Sequence, residues 1–223
     1  MIDILLSSWQ TTLQNFQVDP GAANRVFWNL VEIYSESSRH YHNIQHISQV
    51  LSTIDILKSY TQDLPAIQLA AWFHDSVYHT QLKDNEEKSA RYAQDVLSDL
   101  GVPSDLGVPA VHIIKITNLI LNTKYHQGED IDSQILLDAD LAILGTNSTT
   151  YQEYAHAIRE EYAWVGETEY ITGRKLVLEG FLQRPFIYYT SVMRESAEEL
   201  ARLNIQREIC ALCLTSGANT NRN

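Results

Sequence analysis

Imidazole and carboxylate side chains gather at three places along the chain. His40, His42 and His46 fall within Arg39-His40-Tyr41-His42-Asn43-Ile44-Gln45-His46. His74 is followed directly by Asp75, with His79 just beyond. Asp138-Ala139-Asp140 interrupts an apolar run, with Ile135-Leu136-Leu137 before it and Leu141-Ala142-Ile143-Leu144 after it. An aspartate among so many apolar neighbours is costly unless something cationic pairs with it. Imidazoles and carboxylates drawn from separate segments make a good receptor for a borderline or hard divalent cation. Four ligands from three segments would account for all three features at once. Each feature alone has a plainer reading. A single histidine beside a core face is usually a hydrogen-bonded structural residue, and a His-Asp dipeptide means little by itself. The metal expectation rests on the ordered combination of His, His-Asp and Asp, each in or beside an apolar helix.

The elements that must carry these residues read as helices. Residues 3–16 place Ile4, Leu5, Trp9, Leu13 and Phe16 close to one helical face. Asp19-Pro20 is an N-cap followed by proline at the first helical position, opening a helix over about 20–36. Asn43 can cap the next, in which Ile44, Ile47, Val50, Leu51, Ile54 and Leu57 recur at spacings of three and four. Pro65 opens another through Leu69 and Phe73. Asp84 with Glu87 forms a capping-box-like start to 84–100, stopped by Gly101. Pro109 opens a segment to about 123, and 131–144 ends at Gly145. Helices near 149–164, 168–183 and 190–214 follow, with 215–223 a polar, frayed tail. There is no internal repeat, no low-complexity block and no sustained two-residue alternation. The expectation is an all-α chain, one helical-bundle domain over 1–223 with about ten helices.

Composition narrows the partners. With 9 Gly and 5 Pro in 223 residues, turn residues are too sparse for a hairpin-rich β fold. The net charge of −12 repels a polyphosphate backbone over most of the surface and argues against a long nucleic acid as partner. It leaves room for a small anionic substrate, because a bound divalent cation reverses the sign locally. Met1-Ile2-Asp3 begins without a basic region, and no apolar run approaches the roughly 20 residues of a membrane span. The expected setting is therefore cytoplasmic, with no membrane partner. Cys210-x-x-Cys213 has no matching second pair and reads as two structural thiols in a helix rather than a zinc site.

Several stretches together resemble the HD superfamily of metal-dependent phosphohydrolases. They are Arg39 through His46, Trp72-Phe73-His74-Asp75-Ser76-Val77-Tyr78, Asn85-Glu86-Glu87 with Ser89-Ala90, Leu137 through Gly145, Ile158-Arg159-Glu160-Glu161-Tyr162, and Gly173-Arg174. The likeness is to a bacterial branch described as predicted HD phosphohydrolases, without a settled substrate, and it covers about 25–205. It implies a helical bundle of the HD type and a divalent metal ion, whether Mn, Co, Mg, Zn or Fe. It also implies the ligands. His46 matches the first, His74 and Asp75 the pair that names the superfamily, and Asp140 the last. Ala139-Asp140-Leu141 is similar to the Ala-Asp-Leu run that carries a ligand in cyclic-nucleotide phosphodiesterases. Asp138 and Asp140, two apart on a helix, point about 200° from one another, so both cannot easily face one ion. Asp138 then reads as a cap or hydrogen-bond acceptor for a neighbouring helix.

The same phosphodiesterases carry Tyr-His-Asn-x-x-His, matched here by Tyr41-His42-Asn43-Ile44-Gln45-His46. The resemblance gives His42 the role of proton donor to the leaving group. The i, i+4 spacing suits that role, with both rings on one helical face; the plainer alternative is a histidine that orients His46. Asp75 would help deprotonate the attacking water. Lys124, His126, Arg159 and Arg174 are candidate substrate partners, the arginines through a two-point fork, with surface ion pairing as the default for the charged ones. His126 could instead belong to a second metal site. Glu86 and Glu87 stand where relatives place an acid or second-metal partner, or simply begin a helix. The expected activity is metal-dependent hydrolysis of a small phosphoester, with a nucleotide or related phosphomonoester first by analogy. The alternatives are a catalytically silent ligand-binding or regulatory module of the same type, or a di-iron oxygenase of that type using His112 and His126 as further ligands.

Overall fold

The structure is a computed structural model that describes residues 1–14, 16–100 and 107–220, with residues 215–220 described by their backbone alone. The expected stop at Gly101 and the last three residues of the expected tail lie outside the described residues. Among the described residues there are ten α-helices and no β-strand, so the chain is all-α as its periodicity implies. No helix among them is long and apolar enough to cross a membrane. The chain divides into two compact units, Met1–Ala139 and Asp140–Asn223.

The first unit contains α1 (Ile2–Gln14), α2 (Pro20–Ile33), α3 (Ile44–Leu57), α4 (Leu64–Phe73), α5 (Asn85–Asp99), α6 (Ala110–Thr123) and most of α7 (Ile131–Asp140). Local chemistry explains most of the starts. Asp19 accepts a hydrogen bond from the Ala22 amide at 2.7 Å, with Pro20 in the first turn. Asn43 Oδ1 accepts from the Gln45 and His46 amides at 2.9 and 3.4 Å, while its Nδ2 donates to the His40 carbonyl at 2.9 Å. Helix α4 begins at Leu64, one residue before the expected Pro65, because Asp63 caps it by accepting from the Ala66 amide. The capping box expected at α5 does not form. Asp84 occupies the cap position without a side-chain cap bond. Its carboxylate pairs instead with Lys88 at 3.0 Å, and Glu87 turns to Lys124.

Helix α4 is the core of this unit. Ala66, Ile67, Leu69, Ala70, Ala71, Trp72 and Phe73 are all fully buried, as suits a helix whose one polar residue is Gln68. It packs against α1, α3, α5 and α6. The Trp72 ring meets Trp9 of α1 edge-on at 5.6 Å and Phe27 of α2 at 5.5 Å, and such pairs contribute about 0.5–1.5 kcal/mol beyond their buried area. The His74-Asp75 pair thus emerges from the end of the most thoroughly packed helix.

The second unit contains α8 (Ser148–Glu161), α9 (Glu167–Gln183) and α10 (Ser191–Thr220). The expected single helix over 131–144 changes form, since α7 gives way to a 3-10 turn over Leu141–Gly145. Donors distant in sequence take carbonyls there. The Tyr188 hydroxyl donates to the Leu141 carbonyl at 3.1 Å, and Asn204 Nδ2 to those of Leu144 and Thr146 at 2.9 and 2.8 Å. Gly145 is required where it stands, because a Cβ on it would lie 2.6 Å from the Cβ of Ala197 and 2.8 Å from that residue's carbonyl oxygen. Helix α10 continues to Thr220, past the expected end at Leu214.

The cap of α3 carries a direct expectation. Asn43→Ala removes the acceptor for two amides in the turn that holds His46 and should cost about 1 kcal/mol. Asn43→Asp should preserve most of it. Urea denaturation at constant m-value is the measurement.

Candidate metal centre

The end of α4 leaves carbonyls without helical donors, and the chain supplies partners for a run of them. His74 Nδ1 lies 2.8 Å from the Ala71 carbonyl oxygen. That oxygen can only accept, so Nδ1 carries a proton, and Nε2 is the ring atom turned toward the other side chains of the group. The Tyr34 hydroxyl donates to the Trp72 carbonyl at 2.8 Å, and Ser76 donates to that of Phe73 through its amide at 3.0 Å and its hydroxyl at 2.8 Å. Arg39 donates to the carbonyls of Asp75 and Ser76 at 2.7 and 3.1 Å. The turn bearing His74 and Asp75 is thereby held from the backbone outward.

Helix α3 brings His46 to the same place. His46 Nε2 and His74 Nε2 are 3.2 Å apart. Asp75 Oδ2 stands 3.1 Å from His74 Nε2 and 3.6 Å from His46 Nε2. Both imidazoles are 2% exposed, and the Asp75 side chain is 17% exposed. These three residues form a group whose ligand atoms all lie within 4.8 Å of one another. Lone pairs this close repel unless a proton or a cation lies between them. For a tetrahedral ion with ligands at about 2.0–2.1 Å, neighbouring donor atoms are about 3.3 Å apart, so the triangle has the edges of such a site. Burial pushes the Asp75 carboxyl up, but the positive charge available at His74, His42 and His46 outweighs it and holds the group well below the usual carboxylate range. Asp75 is therefore in the ionised form that a metal ligand needs.

His42 stands beside this group. Its ring stacks on Tyr78 with centroids 4.0 Å apart and 27° between planes, and lies 5.7 Å from the His46 ring. Its backbone carbonyl accepts from Arg39 at 3.2 Å. Of the two carboxylates in the third cluster, Asp138 is fully buried in α7 and Asp140, half-buried, is the first residue of the second unit.

The candidate substrate partners are engaged by protein groups. Lys124 donates to the Lys83 carbonyl and to Glu87, a bond that lowers the Glu87 carboxyl and raises the Lys124 ammonium. His126 has φ of 50° just beyond α6, a left-handed conformation that histidine adopts more readily than most residues. In the second unit, Arg159 donates to the carbonyls of Tyr162 and Val165 and to Glu167, and lies over the Tyr170 ring. Arg174 forms a two-point pair with Glu208 at 2.7 and 3.1 Å and also donates to the Tyr154 hydroxyl. The Tyr151 hydroxyl donates to the same Glu208, and burial and that charge push its own ionisation far upward. Recruiting Lys124, Arg159 or Arg174 to a phosphate would first require breaking these bonds. Cys210 and Cys213 are free, exposed thiols on α10.

Arg39 is the residue that side-chain patterning misses. Its side chain is 2% exposed, yet in the sequence it enters only as the first residue of the stretch Arg39 through His46, with no role of its own. No pattern in the sequence announces acceptors that are backbone carbonyls 36 and 37 residues away. No protein-family model, curated protein or solved structure matches this chain.

Proposed function

We propose that this protein is a metal-dependent hydrolase of small phosphoesters, with a mononucleotide or related phosphomonoester as the substrate class. The observation that carries this reading is the buried triangle of His46 Nε2, His74 Nε2 and Asp75 Oδ2, with edges of 3.1 to 3.6 Å. The resemblance of the motifs to HD phosphohydrolases supplies the reaction class. His46, His74 and Asp75 would hold a divalent ion, and the resemblance adds Asp140 as a fourth ligand. Comparing metal retention in Asp140→Asn and Asp138→Asn decides between the two carboxylates of that cluster. When bound, such an ion polarises a phosphoryl oxygen and lowers the pKa of water. His42 donates a proton from its ring to the departing oxygen, and Asp75 takes one from the attacking water. The net charge of −12 disfavours long polyanions and leaves small esters as the class admitted.

The experiment is metal analysis of untagged protein followed by an anaerobic phosphate-release screen. Mononucleotides, sugar phosphates and an oligonucleotide are offered with Mn²⁺, Co²⁺, Mg²⁺ or Zn²⁺. The expected result is release without oxygen, dependence on one of these ions, arrest by a chelator, and preference for small monoesters. A requirement for iron and dioxygen would replace this reading with an oxygenase. Stoichiometric metal binding without turnover of any ester would replace it with a ligand-binding module.

A further inference from the structure

We infer that Arg39 is a positioning residue for the metal centre, one guanidinium that fixes the His42 segment against the His74-Asp75 turn. The inference rests on reading His46, His74 and Asp75 as metal ligands. Arg39 Nη1 donates to the carbonyls of His42 at 3.2 Å and Asp75 at 2.7 Å, and Nη2 to that of Ser76 at 3.1 Å. The first acceptor immediately precedes the cap of α3, which carries His46; the other two belong to the turn after α4, which carries His74. A single planar group thus ties together the two segments that supply all three members of the triangle.

The surroundings leave the guanidinium little freedom. Tyr34 and Tyr78 present their rings to it at 5.2 and 5.9 Å, and Tyr78 is the ring on which His42 stacks. Glu36 reaches Nε at 3.3 Å but is itself 56% exposed. That carboxylate sits at the rim, and most of the compensation for the buried charge comes from carbonyl oxygens. A cation at the C-terminal end of α4 also meets the negative end of that helix's dipole. Arg39 touches none of the three ligand side chains in these contacts; it acts on them through their backbones. Lysine cannot reproduce the arrangement, since its ammonium lacks the rigid planar fork that spans separated acceptors.

The test uses the full chain with Co²⁺ as probe, read by its visible ligand-field absorption and by titration. Arg39→Lys keeps the buried stem and is the principal variant. Leu13→Ala, at a buried position of α1, is the control for loss of stability alone. In Arg39→Lys, Co²⁺ affinity should fall about 10- to 100-fold, the range seen when a residue supporting a metal ligand is lost. The absorption bands should shift, while Leu13→Ala keeps the wild-type spectrum. In Arg39→Ala, millimolar guanidinium chloride should restore the bands where equal sodium chloride does not. Wild-type affinity and spectrum in Arg39→Lys would overturn the positioning role and leave the metal reading intact. Failure of the wild-type protein itself to take Co²⁺ would overturn both.

Discussion

Replacing Asp75 with asparagine is expected to reduce divalent-metal affinity by at least about 10²-fold, at or beyond the upper end of the loss seen when a ligand's supporting partner is removed. The substitution keeps size and shape and takes away only the negative charge at Oδ2, the atom within 3.6 Å of both imidazoles. Fold should be retained, because Asp75 meets Arg39 through its backbone carbonyl, which asparagine also has. The far-ultraviolet circular dichroism of the variant should therefore match wild type. A second readout needs no substrate. A metal present at about a hundred times its dissociation constant stabilises a protein by about 2.7 kcal/mol. The wild-type melting temperature should rise when Zn²⁺ or Mn²⁺ is added, and the rise should vanish in Asp75→Asn. Undiminished affinity in the variant would remove Asp75 from the ligand set, and with it the observation on which the proposed function rests.

What the sequence makes legible, and what it does not, divides by the range of the interaction. Asp19 and Asn43 are readable as caps because a cap joins residues two or three apart. The buried face of α3 is readable from its own spacing, and the start of α4 from Pro65, to within one residue. The box at Asp84 and Glu87 is locally plausible, but Lys88 and Lys124 offer both carboxylates an ion pair, and the pairs form instead. The change of helix form after Asp140 depends on Tyr188 and Asn204, 47 and 60 residues from the carbonyls they hold. Arg174 reads as either an ion-paired residue or a two-point phosphate partner, and only the fold shows that its ion partner is Glu208, 34 residues on. The same rule applies at the site. His46, His74 and Asp75 stand out because their side chains are unusual for apolar helices. Arg39 does not stand out, because its partners are carbonyls that every residue carries.

The location of the triangle also has a physical logic. The turn after α4 is where helical carbonyls point outward and the dipole is negative, which favours cations. Tyr34, Ser76, His74 and Arg39 donate to the carbonyls of Trp72, Phe73, Ala71, Asp75 and Ser76, and the side chains of His74 and Asp75 join His46 in the group that could hold a cation. Because seven of the ten residues of α4, including the last five, are fully buried, its end cannot shift without disturbing the core, and the separation of His74 from His46 is held by packing as well as by hydrogen bonds. A site built this way suits an ion that demands fixed ligand spacing.

His42→Ala is expected to retain metal and lose turnover. The His42 ring is not among the three side chains whose ligand atoms cluster within 4.8 Å, so Co²⁺ or Mn²⁺ affinity should change little. Loss of a general acid typically costs about 10² to 10⁴ in rate, and the fall should appear in kcat. Its size should depend on the leaving group. An alkoxide departing from a sugar or nucleoside phosphate needs a proton, so the full loss is expected there. A nitrophenolate departs readily without one, so that substrate should be largely spared. The stack on Tyr78 at 4.0 Å supplies the control. Tyr78→Phe keeps an aromatic ring beneath His42 and should preserve most of the rate, whereas Tyr78→Ala frees the imidazole and should lower kcat on alkyl substrates first. Equal losses on both classes of leaving group in His42→Ala would show that the imidazole positions the ester and does not donate the proton. Loss of bound metal in His42→Ala would instead place the imidazole among the ligands.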